Sequence, residues 1–202
     1  MEQKNKDIKS WVLWAIVVGL VVIDQVVKLS VKTTMTLGES HNVLGEWFRW
    51  CFIENEGAAW GMSLGGNYGK LILSIFRLVA IGALIWFVGH LRKKESPRGI
   101  IIGFTLILAG AIGNMVDSAF YGLIFSESTI SSVAQFLPEG GGYAPFLYGK
   151  VVDMLYFPLF YWPEWLPLIG GRLFFSPVFN FADSYITISV IYMLIFHWKY
   201  FK

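Results

Sequence analysis

The sequence predicts a membrane all-α protein, a four-transmembrane-helix bundle with a small β element at the outer interface. Of its 202 residues, 55% are hydrophobic and 15% are charged, and the mean hydropathy is +0.57. These values lie outside the range of soluble globular domains. Four apolar stretches approach the ~20 residues that cross a hydrocarbon core. We therefore predict one domain, residues 1–202, with spans at 11–31, 71–91, 99–117 and 179–198.

The distribution of basic residues predicts the orientation of these spans. Lysines precede the first span, basic residues fill the connection 92–98, and Lys199 and Lys202 follow the last span. The positive-inside rule places both termini and the short middle connection in the cytoplasm. The segments 32–70 and 118–178 then lie on the outer face. The net charge of +2 is explained by this topology and predicts no nucleic-acid partner.

Polar side chains converge at one depth once the spans are threaded through a bilayer. At 1.5 Å per residue, Asp24 lies about 20 Å along the first span, in the outer half of the membrane. Ionisable groups in hydrocarbon are costly, so several at one level indicate a functional site. The inner half is nearly free of them, whereas a transporter is expected to carry polar groups along a whole path. The convergent groups are Asp24 with Lys28, Asn55, Asn114 with Asp117, Asp153, and Asn180 with Asp183.

Two of these pairs allow a structural as well as a functional interpretation. Asp24 and Lys28 are four residues apart and share a helix face, which suits an ion pair between helices or the wall of a pocket. Asn180 stands where a helix N-cap belongs, and Asp183 would place a charge at the positive end of the helix dipole. A helix cap needs only one of these two residues, so capping alone does not explain why both are present.

Two further segments combine small residues with polar ones. The residues 46–53 alternate in polarity, which suggests strands at the membrane interface, and N-E-G-A-A-W-G at Asn55–Gly61 follows them. Small residues there would let the backbone approach a ligand. In Gly110–Asp117 the glycines favour tight helix packing, which does not explain Asn114 and Asp117.

Asp153 and Asp183 form the natural catalytic couple. Two carboxylates facing each other in a poorly solvated site cannot both ionise easily, so one holds a proton while the other acts as a base. Such a pair can activate water for attack on an amide and then protonate the leaving amine. Cys51 is the only cysteine and the three histidines are far apart, so we expect no metal and no cofactor.

The motifs D-x-x-x-K, N-x-G-A-A-W-G, G-x-x-G-N-x-x-D, G-x-V-x-D and F-N-x-A-D occur in this order. Together they resemble the lipoprotein signal peptidases, the type II bacterial signal peptidases. The resemblance implies an aspartic intramembrane endopeptidase that cleaves diacylglyceryl-modified prolipoproteins just before the lipidated cysteine. It implies Asp153 and Asp183 as the catalytic residues. The other pocket residues it implies are Asp24, Lys28, Asn55, Gly57, Ala58, Asn114, Asp117 and Asn180.

The expected location is the bacterial cytoplasmic (inner) membrane, with the active site facing the outer leaflet. We expect a monomer whose partners are the lipid-modified prolipoprotein and membrane lipids. Two alternative functions stay open: a small four-helix transporter, and a non-catalytic membrane protein that binds lipoproteins.

The sequence departs from the family pattern in two places. The family commonly has Arg directly after the Asp of G-N-x-x-D, and here that position is Ser118. If that Arg helps hold substrate or lipid, another cation must substitute, and Lys150 and Arg49 are candidates. The outer stretches 118–148 and 154–178 also look longer than the family minimum. The aromatic residues of 154–165 predict an amphipathic segment lying in the outer interface.

Overall fold

A computed structural model describes residues 8–56 and 67–202. Long helices span Ser10–Thr34 (α1), Asn67–Lys93 (α2) and Arg98–Val116 (α3), and α3 leads through a π-helical turn into the short helix Gly122–Ile124 (α4). A further apolar helix, Phe181–Phe196 (α5), is followed by a 3-10 turn, Trp198–Phe201. The strands are Ser40–Leu44 (β1), Phe48–Asn55 (β2), Val151–Tyr156 (β3) and Val178–Phe179 (β4).

The predicted class, a mostly helical membrane protein with a small β element, is confirmed. In the part of the chain that the structure describes, three helical stretches are long and apolar enough to cross a membrane: Ser10–Thr34, Tyr68–Lys93 and Arg98–Ile124. The fourth, α5, has 16 residues and is therefore about 24 Å long. That is shorter than the ~30 Å hydrocarbon core, so a four-span topology with both termini in the cytoplasm stays a prediction.

Helix α3 is the centre of the helical bundle, because α1, α2 and α5 each pack against it. Its glycines make this close packing possible. A β-carbon at Gly110 would collide with the backbone oxygen of Ala182 and would lie 2.7 Å from the side chain of Ile186 on α5. A β-carbon at Gly113 would lie 2.8 Å from an Asp24 carboxylate oxygen. The predicted role of these glycines in tight helix packing is confirmed.

The third span extends beyond its predicted end at residue 117. Asp117–Tyr121 forms a π-helical turn and α4 continues the path to Ile124. A returning loop supports this turn: Gly149 N–H donates to Ser118 O at 2.8 Å, and Ala144 N–H donates to Gly122 O at 2.9 Å. The length of the apolar stretch did not predict this extension of the third span, because the loop that supports it is distant in the sequence.

The sheet on the predicted outer side is antiparallel, in the order β1-β2-β3-β4. The alternating stretch correctly predicted a strand, which the structure places at β2. By contrast, β3 gave no alternation signal, because residues 151–155 are all buried, as in strands covered on both faces. The register of β2 against β3 places Ile53 opposite Asp153 and Asn55 opposite Val151.

The aromatic segment after β3 is a loop rather than a helix. It is closed by an isolated bridge between Tyr161 and Leu173, and the rings of Phe160 and Phe174 stack at 4.5 Å. Trp165 at its tip is 78% exposed. Exposed aromatic rings suit a membrane interface, so the interfacial location of 154–165 stays a prediction.

We expect Gly110→Ala to lower the free energy of unfolding by about 1–3 kcal/mol, because the added methyl group overpacks the α3–α5 contact. Gly82→Ala on α2 is the matched control, since a β-carbon there meets no atom within 4 Å. Denaturation of both variants in the same detergent measures the difference. Equal unfolding midpoints for both variants would contradict this account of the α3–α5 contact.

Candidate active site

The ammonium group of Lys28 lies at the centre of a buried polar cluster. Its Nζ atom is 2.9 Å from Asp24 Oδ2, 2.9 Å from Asp117 Oδ2 and 2.9 Å from Asn114 Oδ1. Lys28 is 0% exposed and Asp24 is 1% exposed. A lysine ammonium has three donors, so this geometry satisfies all of them. The cluster joins α1 to the end of α3.

The same carboxylates hold the elements that carry the predicted catalytic pair. Asp24 Oδ1 accepts the Ala182 N–H at 2.9 Å, at the first turn of α5. Asp117 Oδ2 accepts the Val152 N–H at 3.1 Å, on the strand residue that precedes Asp153. One ion cluster therefore fixes both the start of α5 and the middle of β3.

Gln25 completes this cluster and was not identified from the sequence. Its Nε2 donates to Asp117 Oδ1 at 2.8 Å and to Gly113 O at 3.1 Å, and its Oε1 accepts from the Tyr121 hydroxyl at 3.1 Å. The sequence did contain a signal for this role, because Gln25 is a second polar residue directly after Asp24 in an otherwise apolar span.

Asp153 lies in the middle of β3 and is 3% exposed. Its Oδ1 accepts from Asn180 Nδ2 at 2.7 Å, and its Oδ2 accepts from Asn55 Nδ2 at 3.2 Å. Burial, together with the negative charge of Asp183, raises the pKa of Asp153 to about 7. Near neutral pH this carboxyl group therefore holds a proton for a substantial part of the time.

Asp183 occupies the first turn of α5 and is half-buried. It forms a capping box with Asn180, in which the Asp183 N–H donates to Asn180 Oδ1 at 2.9 Å and Asn180 N–H reaches Asp183 Oδ2 at 3.4 Å. Asn114 Nδ2 donates to Asp183 Oδ1 at 2.7 Å. Asn180 therefore links the two carboxyl groups, because its amide contacts Asp153 and its carbonyl oxygen caps the turn that carries Asp183.

The structure brings most of the predicted pocket residues into this one network, while Gly57 and Ala58 lie outside the described residues. The candidates for a cation near Ser118 are not found there. Lys150 Nζ lies 3.6 Å from Glu54 and 3.5 Å from Glu127, and Arg49 Nε donates to a backbone oxygen of its own hairpin. The residue that reaches Ser118 is Arg77 of α2, whose guanidinium donates to Ser118 Oγ at 2.9 Å.

A second buried charge pair supports the sheet and was also missed from the sequence. Lys32 Nζ contacts Glu54 Oε1 and donates to Ser128 Oγ at 3.0 Å, and Lys32 is 0% exposed. The ammonium also lies 5.1 Å from the centroid of the Tyr143 ring. This pair attaches β2 to α1 one helical turn above Lys28, so Asn55 is held close to Asp153.

Within residues 8–56 and 67–202, no group of three His, Cys, Asp or Glu side chains is arranged to hold a metal ion. The chemically useful feature is a protonated carboxyl group next to a second carboxylate that is partly accessible. That combination suits general acid–base catalysis on a peptide bond.

Comparison with known proteins identifies the family. The family model for signal peptidase (SPase) II matches residues 16–199. The chain belongs to the signal peptidase II family. Lipoprotein signal peptidase from Porphyromonas gingivalis is 50% identical over 189 residues, covering 91% of this chain and 81% of the relative. That from Amoebophilus asiaticus is 37% identical over 190 residues, covering 90% and 75%.

Solved structures agree with this signal peptidase II assignment. Two structures described as bacterial membrane enzymes superpose with TM-scores of 0.62 and 0.64, at 27% and 26% sequence identity. They cover 96% of this chain, and 92% and 96% of their own chains. Family membership, together with the apolar helices, makes this chain a multi-pass membrane peptidase.

We expect Lys28→Met to lower the free energy of unfolding by about 3–5 kcal/mol, because it leaves Asp24 and Asp117 buried without a cation. Lys94→Met, at an exposed position between α2 and α3, is the control and should change it by less than about 0.5 kcal/mol. Denaturant titration of both variants in micelles measures this. Similar midpoints for the two variants would show that the cluster does not hold the fold together.

Proposed function

We propose that this chain removes the signal peptide from diacylglyceryl-modified prolipoproteins, with Asp153 and Asp183 as an aspartic catalytic dyad. The observation that carries the proposal is the contrast between the two carboxyl groups. Asp153 is buried and has a raised pKa, whereas Asp183 is half-buried at a helix N-terminus. Asn180 contacts both of them.

In this mechanism Asp183 acts as the base and Asp153 as the acid. Asp183 takes a proton from a water molecule, whose oxygen bonds to the carbon of the scissile amide. Asp153 donates its proton to the carbonyl oxygen, which gives a tetrahedral gem-diol intermediate. Asp183 then passes the proton it took from water to the amide nitrogen, the carbon–nitrogen bond breaks, and the nitrogen leaves as the amino group of the lipidated cysteine. One hydroxyl of the intermediate returns its proton to Asp153, so the signal peptide leaves as a carboxylic acid that ionises in water and the dyad again holds one proton.

The remaining polar residues divide into two groups in this proposal. Asp24, Lys28 and Asp117 are buried and bonded to one another, so they position the dyad rather than contact substrate. Asn55, Asn114 and Asn180 contact the aspartates directly. Asn55 and Asn114 are half-buried and would meet a bound peptide, whereas Asn180 is 0% exposed and orients the two carboxyl groups. Gly57 and Ala58 correspond to pocket residues in the family pattern, and we propose that they bind substrate here.

We further propose that the site faces the outer leaflet of the bacterial inner membrane and acts as a monomer. The support is the charge distribution of the sequence and the clustering of polar groups at one end of the helices. A lipid-anchored precursor would present its scissile bond at that depth. Exposed aromatic residues in 154–165 would bring the enzyme and the lipid-anchored substrate to the same interface.

We expect Asp153→Asn and Asp183→Asn each to abolish cleavage of a lipidated precursor while the protein stays folded. An amide cannot exchange a proton as a carboxyl group does, so an asparagine can serve neither as the acid nor as the base. A gel-shift processing assay with purified protein in micelles measures this. Glu139→Gln, at an exposed acidic position in an outer loop, is the matched control and should cleave normally.

Near-normal turnover by either asparagine variant would disprove the dyad. Loss of wild-type activity on chelation, with recovery on adding one divalent ion, would disprove a metal-free mechanism. A wild-type protein that binds the lipidated precursor without cleaving it would instead support a non-catalytic lipoprotein-binding role.

We expect kcat/KM to fall as the pH rises through about 7, because Asp153, with a pKa of about 7, then loses the proton it must donate. The Asn55 hydrogen bond lowers the pKa of Asp153, so Asn55→Ala should raise it and move the alkaline limb to higher pH. Asn42→Ala, at an exposed position of β1, is the control. The apparent pKa belongs to the coupled dyad. A limb that stays in place, or moves to lower pH, would exclude Asp153 as the acid.

A further inference from the structure

A lateral pocket lies between α1 and α2, at the end of the helices opposite to the two aspartates. Both helices pack on α3, which forms the floor of the pocket. The volume of the pocket is about 210 Å³, and its walls include the buried side chains of Leu13, Val88 and Leu108. Leu13 lies about 16 Å along α1 from Asp24, so the pocket is separate from the candidate active site.

The interior of this pocket suits a hydrocarbon chain. The Thr105 hydroxyl, on the α3 side, already donates to Ile101 O at 2.7 Å and offers no open donor. An apolar cavity of about 150 Å³ is large enough to bind benzene, so a segment of an acyl chain fits here. The rim residues Trp14 and Ile85 are 43% and 41% exposed. The pocket therefore opens sideways, toward the space that lipid tails fill in a membrane.

Gly89 keeps the pocket open on the side of α2. It lines the pocket, and a β-carbon there would meet no atom within 4 Å. In the direction of the aspartates, Val17 and Leu108 pack in an apolar cluster with Leu20 and Leu84, which closes the pocket. The opposite end of the pocket is lined by a polar residue, Ser10. A ligand would therefore have its apolar part between the helices and its polar part near Ser10.

The polar end of the pocket lies in a positively charged region. Lys9, directly before Ser10, is exposed, and the first turn of α1 contains no acidic residue. The two segments at this end, residues 1–9 and 92–98, each contain more basic than acidic residues. Such an excess of positive charge beside an apolar pocket between membrane helices favours an acidic lipid head group.

We propose that this pocket binds one anionic phospholipid, with an acyl chain between α1 and α2 and the phosphate group beside Lys9 and Ser10. Burial of the acyl chain provides affinity for any phospholipid, whereas the positive charge selects an anionic head group. This end of the helices is predicted to face the cytoplasm, so the lipid would belong to the inner leaflet. This binding does not require the peptidase activity proposed above.

The test is native mass spectrometry of the delipidated protein, titrated with phosphatidylglycerol or with phosphatidylcholine of the same acyl chains. We expect the wild type to bind one phosphatidylglycerol about tenfold more tightly than phosphatidylcholine. Gly89→Leu should weaken the binding of both lipids at least about tenfold, because the new side chain occupies the pocket. Gly82→Leu is the matched control, since Gly82 lies two turns earlier on α2 and also has no atom near its β-carbon.

The head group is tested separately with Lys9→Gln, at an exposed position. We expect this change to weaken phosphatidylglycerol binding about fivefold and to leave phosphatidylcholine binding unchanged, which is the effect of one cation near a phosphate group. Lys199→Gln, an exposed lysine after α5, is the control and should change neither affinity. Equal affinities of the wild type for the two lipids, or equal effects of the two lysine changes, would overturn the proposal.

Unchanged binding by Gly89→Leu would also overturn the proposal, because the lipid would then lie elsewhere. Thermal unfolding in detergent shows whether this variant is folded. If it is not, Gly89→Val takes its place and should weaken the binding of both lipids about threefold. Wild-type affinity of a folded Gly89→Val protein would exclude the pocket as the site.

Discussion

The placement of the Lys28 ammonium is the constraint on which the rest of the site depends. Its three bonds to Asp24, Asp117 and Asn114 leave no donor of this fully buried ammonium unsatisfied. The two carboxylates then reach outward, one to the first turn of α5 and the other to β3. A buried ion cluster of this kind contributes little net stability over an apolar core, but it defines one arrangement of helices and strand. The positions of Asp153 and Asp183 follow from it.

The two aspartates differ because they stand on different kinds of backbone. Asp153 is on a strand buried on both sides, where desolvation and a neighbouring negative charge favour the protonated form. Asp183 is half-buried in the first turn of a helix, where it forms a capping box with Asn180. The same residue type therefore stands in two different environments. The asparagines between them fix this difference in place, since each contacts a carboxyl oxygen directly.

Arg77 and Ser118 meet across the α2–α3 contact, where the guanidinium donates to the serine hydroxyl. Sequence motifs describe α3 alone and predict a missing charge at residue 118. The packing of the two helices places a cation of α2 beside that residue. Lys150, which is near Asp153 in sequence, points instead to Glu54 and Glu127.

The sequence by itself determined the membrane class, the family, one strand and the set of polar residues that meet, because hydrophobic length, polarity alternation and charge–residue spacing are local properties. It also identified Asp153 and Asp183 as a pair, since buried carboxylates are rare enough to stand out in an apolar chain. Only the tertiary structure decided that α3 continues through a π turn, that β3 carries Asp153, and that Gln25, Lys32 and Arg77 join the buried networks. Each of those depends on contacts between segments far apart in sequence. A lone polar residue in an apolar helix does not reveal which neighbour will satisfy it until the helices are packed.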